Sequence, residues 1–86
     1  MSIIDTMQAR LAVLAPSHLD IQDDSASHAG HAGAGSGGHY DVLIVSAAFN
    51  GKNRVQRQRL VYQALGDLMQ NGIHALAMRT LTPEEI

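Results

Sequence analysis

Five histidines and no cysteine set the chemistry open to this 86-residue chain. His28 and His31 lie in a glycine- and alanine-rich tract, His39 directly before an apolar run, and His74 at the head of another. Neutral imidazole is a good ligand for zinc, copper or iron. Two imidazoles alone leave a first-row metal under-coordinated, so a closed site needs ligands from elsewhere. The missing cysteine rules out any site built on the chain's own thiolates, rules out a disulfide staple, and fits a reducing compartment. Blander readings stand beside this one. His74 can be a strand-end residue hydrogen-bonded to backbone, and His28 and His31 can belong to a mobile tract that meets metals only adventitiously. No nucleophile–base signature and no phosphate loop is present, so an enzyme is not the expectation.

A second group is cationic. Lys52, Arg54, Arg57 and Arg59 fall within eight residues, and no acid occurs between Asp41 and Asp67. Cations at a helix N-terminus oppose the macrodipole, at roughly 0.3–1 kcal/mol each where exposed. Projected at about 100° per residue, Arg54 and Arg57 continue the stripe of Val61, Leu65 and Leu68, whereas Arg59 points nearly the opposite way. The arginine stems can snorkel past the core edge with solvated heads; the alternatives are a docking surface for an acidic partner and a phosphate-backbone contact. The net charge of −2 argues against bulk attraction to nucleic acid. With Tyr40, Phe49 and Tyr62 as the only aromatics, a base-stacking platform is not expected.

The elements that must carry these groups are legible from periodicity. The length fits one small domain over residues 1–86. Ser2, three residues before Asp5, is a helix-start signal; Ile4, Met7, Leu11 and Leu14 then mark a buried helical stripe that Pro16 ends. His18 to Asp23 alternates as a half-exposed strand. Residues 25–38 are a low-complexity Gly, Ala, Ser and His tract, expected to be a flexible loop. Tyr40 to Ser46 is nearly continuous in Val, Leu and Ile, which predicts a central strand covered on both faces. After a turn at Ala47 to Gly51, a long helix carries Val61, Ala64, Leu65, Leu68 and Met69 inward and ends at Asn71-Gly72. A last strand opens on His74, with Leu76 and Met78 alternating with Ala75 and Ala77, and Thr82-Pro83-Glu84-Glu85 starts a short C-terminal turn or helix.

The expected fold class is therefore α+β, in the order α-β-β-α-β with an optional terminal α. A hairpin joins the first two strands, a right-handed crossover makes the second and third parallel, and the helices pack on one face of a three-stranded mixed sheet. Parallel strands put His39 and His74 at one rim, which the tract bearing His28 and His31 also enters. The N-terminus lacks a basic-then-apolar leader pattern, and no apolar run approaches the ~18 residues of a membrane span. The expectation is a soluble cytoplasmic protein.

The run HYDVLIVSAAFNGKNRVQRQRLVYQAL followed by GIHALAMRTLTPEE resembles the BolA family over most of residues 18–85. The family's Phe-x-Gly turn, Arg-His-Arg with a following Val/Ile-Tyr, and His-Ala-Leu strand match Phe49, Gly51, Arg57, Arg59, Val61, Tyr62 and His74-Ala75-Leu76. Gln58 replaces the middle histidine, so no role carries over to that imidazole. The resemblance implies a class II KH-like fold and a monothiol glutaredoxin with a CGFS active site as partner. It implies a [2Fe–2S] cluster shared with that partner, which supplies a cysteine and a bound glutathione. His74 carries over as the first ligand; the second is sought at His31, then His28, then His39. Histidine ligation of such a centre raises its potential relative to all-cysteine ligation. Lys52, Arg54, Arg57, Arg59 and Tyr62 are the candidate partner- or nucleic-acid-binding residues. The family is also described as transcriptional regulators, which makes DNA binding the alternative function. Against it, Gly51-Lys52-Asn53-Arg54 lacks the second glycine of a KH backbone clamp. Weak DNA binding, a homodimer of the chain alone and the identity of a cluster recipient stay open.

Overall fold

A computed structural model describes residues 2–24 and 38–86. Helix α1 spans Ile3–Leu11, and the Ser2 hydroxyl caps it by accepting from the Asp5 amide at 3.1 Å. Met7 and Leu11 are its fully buried residues, with Ile4 and Leu14 half-buried beside them. A 3₁₀ turn, Ala12–Leu14, closes on Ala15 just before Pro16. Strand β1 then spans His18–Asp23, with the bounds that its alternation predicts.

Strand β2 spans Gly38–Val45 and lies in the middle of a three-stranded sheet ordered β1-β2-β3. It pairs antiparallel with β1 and parallel with β3, which spans Ile73–Leu81. The element order and the mixed sheet are those expected from the sequence. Coverage of β2 differs from the expectation. Tyr40, Val42 and Ile44 are buried against both helices, while Asp41 is exposed and His39 and Leu43 are half-buried. Both helices pack on one face; the other is open at Asp41 and covered only toward the end of the strand, where Val45 is 1% exposed. Of the tract expected to loop over 25–38, only Gly38 lies within the described residues, and it opens β2.

Helix α2 spans Arg54–Leu65. Its start is a reciprocal cap: Asn53 Oδ1 accepts from the Gln56 amide at 2.9 Å and Gln56 Oε1 accepts from the Asn53 amide at 3.0 Å. The helix ends six residues before the expected Asn71-Gly72 boundary. Gly66 takes φ +57°, which breaks the α-helical run, and Gly66–Met69 continues as a 3₁₀ turn. Leu68 is buried and Met69 half-buried from that turn, so the apolar stripe outlasts the helix. Arg10 ties the two helices together, donating from Nη1 to the Leu65 carbonyl at 3.1 Å and to Asp67 Oδ1 at 3.0 Å. It supplies a cation at the negative end of α2. Ser46, fully buried, donates from Oγ to the Leu14 carbonyl at 2.6 Å and accepts from the Ala48 amide at 3.0 Å, locking the end of β2 to the 3₁₀ turn that follows α1. A 3₁₀ turn over Pro83–Glu85 ends the chain, as the Thr82-Pro83 signal predicts.

Candidate functional site

The rim at the N-terminal ends of β2 and β3 is shaped by a bulge. The register pairs Gly38 with Ile73 but His39 with Ala75, so His74 is an extra residue with no counterpart on β2. Strict alternation from Leu76 and Met78 places His74 on the core side and Ile73 outside. The extra residue reverses this: Ile73 is 3% exposed and His74 lies open to solvent. The His39 and His74 rings then meet with centroids 5.2 Å apart and planes tilted by 46°. Glycine at 38 leaves room for the Tyr40 ring on the same rim, since a Cβ there would lie 2.5 Å from Tyr40 Oη and the ring would have to shift. The Gly38 amide donates to the Gly72 carbonyl at 3.0 Å and holds the two strand starts together.

A separation of 5.2 Å is within the range of ordinary ring–ring contact and is also compatible with two imidazoles on one ion. With a metal–nitrogen bond of ~2.1 Å, two imidazoles on one tetrahedral ion have centroids ~5.3 Å apart. Among the described residues no group of three His, Cys, Asp or Glu side chains converges, so this rim offers two imidazoles. His28 and His31 lie outside the described residues. His18, at the start of β1, pairs with Val45 at the far end of β2 and takes no part in the rim.

The cationic residues gather elsewhere. Lys52, Arg54 and Arg57 line an open groove of about 430 Å³ with Asn53 and the β3 residues Met78 to Leu81. Arg59 and Tyr62 are not among its lining; they are exposed on α2, with Tyr62 41% accessible. Arg57 is recessed, its side chain only 15% exposed. It donates from Nε to the Lys52 carbonyl at 2.8 Å and from Nη1 to the Thr80 carbonyl at 3.1 Å and to Glu85 Oε1 at 2.7 Å. The Thr82 amide donates to the same carboxylate oxygen at 2.6 Å. That backbone bond, followed by the Arg57 guanidinium, holds the Glu85 carboxyl below its ordinary pKa. Arg79 and Glu85 complete the groove and are not singled out by the sequence pattern, since each is at least 20 residues from the Lys52–Arg59 run. The Thr82-x-x-Glu85 capping signal was the one hint to Glu85.

Comparison with known proteins follows the same residues. The family described as BolA, BolA-like protein, matches residues 11–85. SufE-like protein 1, chloroplastic/mitochondrial, of Arabidopsis thaliana is 44% identical over 79 residues, covering 85% of this chain and 21% of that protein. The DNA-binding transcriptional regulator BolA of Haemophilus influenzae is 41% identical over 70 residues, covering 81% of this chain and 66% of that protein. This chain thus spans about a fifth of the first relative's length and about two thirds of the second's. The solved structure of BolA1 from Arabidopsis thaliana superposes with a TM-score of 0.87 at 39% identity, covering 100% of this chain and 97% of that one. Family match, relatives and fold agree that this chain belongs to the BolA-like family.

Proposed function

We propose that the protein is a non-catalytic adaptor in iron–sulfur cluster handling, sharing a [2Fe–2S] cluster with a monothiol glutaredoxin. The observation that carries this reading is the bulge-set pair of imidazoles at the start of β2 and β3, 5.2 Å apart. Neutral imidazole is a competent ligand for an iron of such a cluster, and an open two-nitrogen rim leaves the remaining positions to another molecule. His74 is the first ligand; the second comes from His31, His28 or His39, and the rim geometry adds weight to His39. The relative named SufE-like protein 1 carries a stretch similar to this chain, which fits the same area of chemistry. Mixing the chain with a cluster-loaded CGFS glutaredoxin is expected to change visible absorption and circular dichroism. His74→Ala should remove that change. Unaltered spectra with this variant would exclude His74 as a ligand.

Duplex-DNA binding through Lys52, Arg54 and Arg57 is the second reading, favoured by the name of the Haemophilus influenzae relative and by the clustering of these cations at one groove. It expects affinity that falls steeply with salt, and no mobility shift at about 50 mM salt would remove it.

A further inference from the structure

The groove between the start of α2 and the end of β3 gathers four cations, Lys52, Arg54, Arg57 and Arg79, around one carboxylate, Glu85. Among the described residues, Arg57 alone of the four has an ion pair. Lys52 and Arg54 have no acid among those residues paired with them, and Arg79 also borders Asp20 and Asp41 on the outer face of the sheet. Folding accounts for Arg57, which ties α2 to β3 and the C-terminal turn, but not for Lys52 and Arg54. Cations at the start of α2 oppose its macrodipole, and the first turn of α2 has no acid. Two N–H groups of that turn, those of Arg54 and Val55, have no intrahelical acceptor.

The groove already contains an oxyanion, supplied by the chain itself. Glu85 Oε1 sits 2.7 Å from Arg57 Nη1 and 2.6 Å from the Thr82 amide, delivered on the short C-terminal turn. Arg57 Nη2 is not used by any of these bonds, so the guanidinium keeps donor capacity toward the groove. We propose that this groove is a binding site for a small diphosphate-bearing anion, which competes with Glu85 for Arg57 and is held in addition by Lys52, Arg54 and Arg79. A volume of about 430 Å³ exceeds what one phosphate fills. No aromatic side chain lines it, so the diphosphate is recognised and a base is not. Arg57 is recessed, its side chain 15% exposed, so a terminal phosphate on a small anion reaches it more readily than a phosphate within a stiff duplex. The proposal is independent of the cluster reading, because the groove lies six residues along β3 from His74, about 20 Å away at 3.3 Å per residue.

The test is calorimetric titration of the full chain with inorganic pyrophosphate, with amide shifts mapped by NMR. Saturable binding is expected, with shifts confined to residues 52–57 and 78–85. Arg54→Gln and Arg79→Gln should each weaken it roughly tenfold, the equivalent of one charge-assisted hydrogen bond. Glu85→Gln, which removes the internal competitor's charge, should tighten it. The proposal is overturned by any of four results: no saturable binding below about 10 mM, equal affinity for orthophosphate, weaker binding by Glu85→Gln, or duplex DNA occupying these residues without competition from pyrophosphate.

Discussion

Arg57 donates to the Lys52 and Thr80 carbonyls and to Glu85, so one side chain joins the head of α2, the outer strand β3 and the C-terminal turn. From sequence its stem was placed on the buried stripe, and it does lie there, but the partner of its head was not legible. Glu85 is 28 residues away, and only the path of β3 brings it back. Arg57→Ala strands two partly buried carbonyls and is expected to lower stability by about 1–3 kcal/mol, read as a shift in the urea midpoint at unchanged m-value. Glu85 gives a pH prediction whose sign follows from its depressed pKa. The folded state holds its proton less tightly than the unfolded state, so the stabilisation is present at neutral pH. It disappears as pH falls through the folded-state value, which is below the ordinary glutamate range. Hydrogen exchange at the Thr82 amide should therefore show Glu85→Gln less protected than the natural chain at pH 7. The two should converge in stronger acid; a gap that widens instead would contradict the assignment.

At the scale of elements, the strand and helix types followed from residue patterns, and the errors lie at joints. β1 alternates Leu19 and Ile21 with Asp20 and Gln22, and its bounds came out as expected. The α2 boundary did not, because Leu68 and Met69 keep a helical spacing while Gly66 turns the backbone to φ +57°. Periodicity registers side chains and is blind to that dihedral. Gly66→Ala should cost about 1 kcal/mol or more, since any L-residue is strained there and its Cβ lies 3.2 Å from Arg10 Nη1. At the other end, Asn53→Ala removes half of a reciprocal cap and should cost about 1 kcal/mol, checked by thermal melts. The β3 bulge was the least legible feature. A run of Ile73, His74, Ala75 and Leu76 gives no sign that Ile73 and Leu76 both face the core, yet that displacement sets His74 beside His39.

For the whole molecule, the two candidate sites sit at opposite ends of one strand, with the core of Met7, Leu11, Val42, Ile44, Val61 and Leu65 beneath both. Parallel pairing of β2 and β3 forces this layout. Both strands begin at the histidine rim and both end beside the head of α2. Substitutions that far apart with no shared partner are expected to act additively within about 0.5 kcal/mol. This independence separates a ligand role for His74 from a structural one. Its side chain is exposed, so His74→Ala should change the stability of the isolated chain by no more than about 0.5 kcal/mol. Pyrophosphate binding at the groove should also be left as it was. The same variant, mixed with cluster-loaded glutaredoxin, should nonetheless lose the spectral change of the natural chain. A drop in the melting temperature that accounts for the lost spectrum would assign His74 to the fold, whereas an intact fold with a silent spectrum assigns it to the cluster.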